Sequence, residues 1–136
     1  MSSTEVVNSL YEAFGRGDMP TVLGLLDPEV QWHEAEGNPY QPSGEAWVGP
    51  DAIVRNLFEK LGEDWAEFTV HPSSFHEAGD VVTVEGRYVG KHGRTSKSLD
   101  CQVCHVWTVE NGKITKFQQY VDTAKLQDVM GDGASR

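Results

Sequence analysis

Apolar residues recur at helical spacing in three segments of the first half of the chain. The first segment opens with Ser2 and Glu5, whose spacing is that of a capping box. The second opens with Asp18, a residue type that caps helices, and carries Pro20 in its first turn. The third begins at Pro50. The apolar stripes of the three predicted helices are Val7, Leu10, Tyr11 and Phe14, then Val22, Leu23, Leu25 and Leu26, then Val54, Leu57, Phe58 and Leu61.

The remaining segments carry the patterns of strands. One predicted strand, residues 30–36, lies between the second and third helices. Four more follow the third helix in succession, joined by turns such as Asn111-Gly112. A short helix capped by Asp122 or Thr123 comes next, and the tail 131–136 is expected to fray. The four later strands span residues 65–71, 81–89, 99–109 and 114–121.

This order of elements predicts a single α+β domain over residues 1–136. Strands joined by short turns pair antiparallel, and three helices packed on one face of their sheet make a second layer. A long sheet twists and curls, so a pocket remains wherever the helices are too few to fill it. No internal repeat or domain boundary interrupts the pattern.

The acidic balance of the chain removes several classes of partner. A formal net charge of −10 argues against nucleic acid and against an anionic membrane surface, because both require clustered Lys and Arg. No apolar run approaches the ~20 residues of a membrane span, and the N-terminus lacks a secretory pattern, so we expect a cytoplasmic protein.

Cys101 and Cys104 lie three residues apart in a predicted strand and so on opposite faces. We therefore expect no metal site and no cofactor.

Trp32 and Glu34 carry the strongest chemical signal, because residues two apart on a strand share a face. A tryptophan is unfavourable on a solvent face, and a carboxylate is unfavourable in a dry core. The pair therefore predicts an apolar cavity that holds one acid, whose pKa is raised and which can serve as a general acid or base.

The long loop 37–50 follows, and its Tyr40 and Trp47 either cover a binding site or pin the loop to the body.

Several segments resemble one known family. Leu10-Tyr11-Glu12-Ala13-Phe14, Leu25-Leu26-Asp27-Pro28-Glu29-Val30-Gln31-Trp32 and His105-Val106-Trp107-Thr108-Val109-Glu110-Asn111-Gly112 are similar to stretches of SnoaL-like proteins. These belong to the nuclear-transport-factor-2-like superfamily, with ketosteroid isomerase and polyketide cyclases. The resemblance implies a cone of cystatin-like topology, in which a curved, mostly antiparallel sheet packs against three helices. Similar cones isomerise steroids, close polyketide rings, open epoxides, bind ligands or only dimerise, so the fold does not settle the function.

Alignment with ketosteroid isomerase implies a role for Glu34. The catalytic aspartate of that enzyme, its general base, falls on Glu34. Its oxyanion-binding tyrosine falls on Leu10, and its protonated acid falls near Cys104. The resemblance therefore implies a retained base without either oxyanion donor, and we expect no steroid isomerase activity.

The same resemblance assigns strand faces. We expect Glu34 to be catalytic, and we expect a ligand-binding surface of Trp32, Tyr88, Gln102, Cys104, Val106, Phe117 and Gln119. The opposite face implies a homodimer interface of His105, Trp107, Gln118 and Tyr120. A register error of one residue would exchange the two faces of any strand.

Two classes of function remain open. In the first, the chain is a cofactor-independent isomerase, cyclase or hydrolase that acts on a small apolar molecule. Glu34 is then the general base, and Gln119 or Tyr88 donates a hydrogen bond to developing oxyanion charge. In the second, the chain binds such a molecule without chemistry, or is a purely structural dimer.

Overall fold

The computed structural model describes residues 1–131, so the predicted tail lies outside the described residues except for Gly131. Six strands form one curved sheet that does not close. They are β1 (Leu26–His33), β2 (Trp47–Val48), β3 (Trp65–Ala78), β4 (Val81–His92), β5 (Ser98–Glu110) and β6 (Lys113–Val121). The helices are α1 (Ser3–Gly15), α2 (Met19–Gly24), α3 (Pro50–Ile53), α4 (Glu59–Asp64) and α5 (Thr123–Met130), with a π-helical turn (Val54–Phe58) between α3 and α4. The predicted α+β class and curved sheet are confirmed.

The N-terminal helix forms as its sequence signals predict. The Ser2 side chain accepts a hydrogen bond from the backbone N–H of Glu5 at 3.1 Å, and the Glu5 carboxylate accepts one from the backbone N–H of Ser2 at 2.7 Å. This is the reciprocal capping box that satisfies two N–H groups at the helix start. The stripe of α1 is buried against the sheet, so both Leu10 and Tyr11 point inward.

The strand order places the first long strand beside the last strand of the chain. The spatial order is β2-β1-β6-β5-β4-β3, and β1 pairs parallel with β6 while all other neighbours are antiparallel. Trp32 therefore lies opposite Phe117. β3 is longer than predicted, because it continues past Pro72 with a register shift. β3 is an edge strand, where a missing backbone N–H is tolerated.

The faces of β5 are the reverse of those predicted. Its odd-numbered residues, Leu99 to Val109, are the buried ones. Gln102 is exposed, and Cys104 and Val106 are half-buried on the outer face, so the prediction that these three line the cavity is wrong. His105 and Trp107 are instead buried inside, so they cannot form an interface on the outer face. On β6 the faces are as predicted: Phe117 and Gln119 point inward, while Gln118 and Tyr120 point outward.

No helix within residues 1–131 has both the length and the apolar character that crossing a membrane requires.

Candidate active site

A cavity lies between the sheet and the helices, and most of its lining is aromatic or aliphatic. Its volume is about 70 Å³, counted as the space in which the centre of a water molecule can lie. One water needs ~10–15 Å³ on this measure, so the cavity has room for several waters or for part of a small molecule. A few polar groups in an apolar concavity are characteristic of small-molecule sites. The polar lining residues are Tyr11, Glu34, Asn38, Tyr40, Tyr88, His105 and Gln119.

Glu34 lies immediately after the end of β1, and its carboxylate is buried in the cavity wall. The indole Nε1 of Trp32 donates a hydrogen bond to its Oε2 at 3.1 Å. Burial raises the pKa of Glu34 to about 7, although the indole donor acts in the opposite direction. A carboxylate with a pKa near neutrality can both accept and return a proton at physiological pH.

The loop after β1 fixes the position of Glu34. The side chain of Gln41 accepts a hydrogen bond from the backbone N–H of Glu34 at 3.0 Å and donates one to the carbonyl of Trp32 at 3.1 Å. Gln41 thereby replaces the strand pairing that ends at His33. Strand geometry therefore does not extend through residue 36 as predicted.

Tyr40 pins the same loop to the body of the protein. Its hydroxyl donates to Asp64 at 2.7 Å and accepts from the Trp65 indole at 3.1 Å. These contacts support the anchoring interpretation, and Tyr40 also lines the cavity. Trp47 lies in β2, where it pairs with Trp32 of the neighbouring strand β1.

A chain of buried amides joins Glu34 to Tyr88. Asn38 Nδ2 lies 3.5 Å from Glu34 Oε1 and donates to Gln119 Oε1 at 2.8 Å. Gln119 Nε2 then donates to the hydroxyl oxygen of Tyr88 at 2.9 Å. Burial, and after it the nearby Glu34 carboxylate, raises the pKa of Tyr88 well above its usual value, so this hydroxyl keeps its proton.

His105 lies between two tyrosine hydroxyls. Its Nδ1 is 2.6 Å from the hydroxyl of Tyr11, and its Nε2 is 2.6 Å from the hydroxyl of Tyr88. The indole of Trp107 donates to the Tyr11 oxygen at 2.9 Å. Burial lowers the pKa of His105 to about 3, so the ring is neutral near pH 7, and burial also raises the pKa of Tyr11.

Hydroxyl and imidazole groups lie beside the two positions at which the resemblance implied that the oxyanion donors are missing. The resemblance placed the two donor positions on Leu10 and near Cys104, neither of which can serve. The neighbouring residues Tyr11 and His105 project into the cavity instead. The alternation of β5 could have revealed His105, because Leu99, Trp107 and Val109 occupy odd positions while Asp100, Gln102, Thr108 and Glu110 occupy even ones.

The remaining predicted site residues divide between the two faces of the sheet. Trp32, Glu34, Tyr88, Phe117 and Gln119 line the cavity. Phe117 packs against one side of the Trp32 indole, with the ring centroids 4.0 Å apart. The buried Asn38 and Gln41 were missed, because amides within a loop carry no periodic signal. Residues 1–131 contain no cluster of His, Cys, Asp and Glu suited to a metal ion.

The arrangement can therefore supply a proton acceptor and hydroxyl donors within one apolar cavity.

The model of the SnoaL-like domain matches residues 7–117, and the chain belongs to this family. An NTF2-like protein from Burkholderia thailandensis is 37% identical to it, covers 96% of this chain and 98% of its own, and superposes with a TM-score of 0.88.

Two further solved structures share the fold. TerC, co-crystallised with polyporic acid, is 23% identical over 94% of this chain and 97% of its own, with a TM-score of 0.84. IdmH from Streptomyces antibioticus, named as a proposed polyketide cyclase, is 18% identical over 96% of this chain and 99% of its own, with a TM-score of 0.80. At these identities the likeness concerns the fold alone. No curated protein matches the chain.

Proposed function

We propose that the chain is a cofactor-independent enzyme that moves a proton on a small, largely apolar carbonyl compound. The observation that carries this proposal is the buried carboxylate of Glu34, whose pKa of about 7 suits a general base at neutral pH. The apolar wall around it favours a substrate with little charge.

The reaction begins when Glu34 removes a proton from the carbon next to the carbonyl group. The electron pair of the C–H bond moves into the new C=C bond, and the carbonyl oxygen becomes an enolate oxygen. The hydroxyl of Tyr88 or Tyr11 stabilises that oxygen with a hydrogen bond. Return of the proton from Glu34 to a different carbon gives isomerisation. Attack of the enolate carbon on a second carbonyl closes a ring, and the oxygen of that carbonyl, which becomes an alkoxide, takes the proton from Glu34. IdmH, which shares the fold, is itself named as a proposed polyketide cyclase.

The proposal is tested by exchange of the α-hydrogens of small cyclic ketones in D₂O, followed by proton NMR. We expect Glu34→Gln to slow the enzyme-dependent exchange by roughly 10²–10⁴-fold, the usual contribution of a general base. Glu36→Gln is the matched control, because Glu36 is a carboxylate two residues away that is exposed to solvent. Equal exchange rates for the wild type and Glu34→Gln would exclude Glu34 as the base.

A second candidate is a binding module that holds a small apolar molecule without changing it. The observation that favours it is that every buried side-chain nitrogen and oxygen within residues 1–131 already has at least one hydrogen-bond partner in the protein. Native mass spectrometry of the freshly purified protein distinguishes the two candidates. An unchanged copurified molecule, together with no exchange on any ketone, favours the binding module.

A further inference from the structure

The Tyr11–His105–Tyr88 group contains one more proton than its internal hydrogen bonds can use. Each tyrosine oxygen already accepts from a donor outside the group, since Trp107 Nε1 donates to Tyr11 and Gln119 Nε2 donates to Tyr88. An indole N–H can only donate, so the first of these bonds has a fixed direction.

The direction of the Gln119 bond is fixed by two backbone groups. The backbone N–H of Tyr40 donates to Asn38 Oδ1 at 2.8 Å, so Asn38 must turn its NH₂ group toward Gln119. The backbone N–H of Ala35 donates to Gln119 Oε1 at 3.2 Å. The carbonyl of Gln119 is thereby held by two donors, and its NH₂ group is the part that faces Tyr88.

The proton count follows from these fixed directions. A neutral imidazole has one N–H and one lone pair. If Nε2 carries the proton, it donates to Tyr88, Tyr11 donates to Nδ1, and the hydroxyl proton of Tyr88 has no acceptor within residues 1–131. If Nδ1 carries the proton, the pattern reverses, and the hydroxyl proton of Tyr11 is left over. Tyr11 and Tyr88 both line the cavity, so a ligand oxygen held there is the available acceptor for the remaining proton.

We propose that His105 is a positioning residue whose tautomer decides which tyrosine, Tyr88 or Tyr11, donates a hydrogen bond to a ligand oxygen in the cavity. The ligand class is a ketone, an aldehyde or the enolate formed from it. This identification of the ligand rests on the proposed function, whereas the tautomer switch does not require Glu34 to be a base.

Conversion between the two arrangements conserves protons. Starting with the proton on Nε2, Tyr88 releases its hydroxyl proton to an acceptor in the cavity and takes the proton of Nε2. Nδ1 then takes the proton of Tyr11, and Tyr11 takes a proton from a cavity water. One proton enters at Tyr11 and one leaves at Tyr88, with no change in charge on the three side chains. Hydrogen-bonded cavity water is both the acceptor at Tyr88 and the donor at Tyr11, so the proton it takes up replaces the one it gives and no water is consumed.

Conservative variants move the tautomer in opposite directions. A phenol O–H is more acidic than a neutral imidazole N–H, so a single remaining tyrosine donates to the ring rather than accepting from it. In Tyr88→Phe, Tyr11 donates to Nδ1, and the proton of His105 lies on Nε2. In Tyr11→Phe, Tyr88 donates to Nε2, and the proton lies on Nδ1.

Long-range ¹H–¹⁵N NMR of the histidine rings reads the tautomer directly, with His105 assigned by its absence in His105→Asn. We expect Tyr88→Phe and Tyr11→Phe to show opposite tautomers of a neutral ring at pH 7. The same tautomer in both variants, or a doubly protonated His105, overturns the proposal. The reversal shows that the remaining tyrosine sets the tautomer, and a response of His105 to a bound ligand separates a positioning role from a purely structural one.

A second measurement uses the unmodified protein and two probes of matched shape, cyclohexanone and methylenecyclohexane. We expect the ketone to bind about tenfold more tightly, as one additional hydrogen bond allows, and to change the ¹⁵N shifts of His105. If the ketone binds no more tightly than the alkene, or if neither binds, the donor does not serve a ligand and the proposal falls. Both readouts are independent of Glu34, so a loss of α-hydrogen exchange in Glu34→Gln tests the proposed function separately.

Discussion

At the scale of single residues, Glu34 and His105 are two buried titratable groups whose contributions to stability change with pH in opposite directions. Burial raises the folded-state pKa of Glu34 from 4.5 to about 7, so the folded protein binds more protons than the unfolded chain in that interval. Its stability contribution therefore falls as the pH rises from 4.5 to 7. Burial lowers the pKa of His105 from 6.5 to about 3, so its contribution rises with pH from 3 to 6.5.

Glu34→Gln should separate these two effects. Glutamine resembles the protonated carboxyl in shape and charge, so the variant lacks the cost of ionising Glu34. We expect its stability relative to the wild type to increase between pH 4.5 and pH 7, by on the order of 3 kcal/mol in total. Urea denaturation at a series of pH values measures this difference. A constant difference over that interval would show that Glu34 titrates as an exposed glutamate does.

The same variant should also reveal His105. With the Glu34 contribution removed, the stability of Glu34→Gln should rise with pH between about 3 and 6.5. In this interval the imidazole of His105 is protonated in the unfolded chain and neutral in the folded protein, so a rise in pH favours the folded state. In the wild type the two trends oppose one another above pH 4.5.

At the scale of elements, the sequence predicted secondary structure better than strand faces. Capping residues and apolar periodicity located α1, and the Asn111-Gly112 turn located the β5–β6 connection, because these signals are local. The resemblance implied the wrong face of β5, because a shift of one residue in the alignment exchanges Cys104 for His105 at the inward position. The alternation within β5 itself indicates the observed face.

The loop after β1 could not be predicted, because its contacts connect distant parts of the chain. Gln119 accepts the backbone N–H of Ala35, and Asn38 joins Gln119 to Glu34. No local pattern identifies such partners. The acid of the site was therefore predictable from Trp32 and Glu34, whereas the amides that hold it were not.

Substitutions on the two faces of β5 should differ sharply in cost. Trp107 is fully buried and donates to Tyr11, so Trp107→Ala should lower the free energy of unfolding by about 3–5 kcal/mol. Gln102 lies on the outer face, so Gln102→Ala should change it by less than about 0.5 kcal/mol. Chemical denaturation of both variants makes the comparison. Equal costs would contradict the observed register.

At the scale of the whole molecule, the outer face of the sheet carries an exposed aromatic side chain with partly buried neighbours. Tyr120 is 58% exposed there, and Val106 and Gln118 are half-buried beside it. An exposed aromatic among apolar and amide side chains is characteristic of an interface. We propose that this face joins two copies of the chain, as the family resemblance implies, with Val106 and Cys104 taking the places first expected for Trp107 and His105.

A charge at the centre of this face should prevent association. We expect the wild type to sediment as a dimer and Tyr120→Glu as a monomer in analytical ultracentrifugation, because a carboxylate would be buried without a partner. Glu12→Gln, on the exposed side of α1, is the control and should leave the dimer intact. A monomeric wild type over the accessible concentration range would remove the proposed interface.

The parallel pairing of β1 with β6 has a consequence for synthesis on the ribosome. Trp32 emerges early, but its sheet partner Phe117 and the Gln119 amide near Glu34 belong to the last strand. A ribosome adds about 5–20 residues per second. β1 therefore remains for seconds without the neighbouring strand β6, and its apolar residues stay exposed during that time. Chaperones that bind nascent chains therefore have an opportunity of seconds at β1, and the cavity assembles only after β6 has left the exit tunnel.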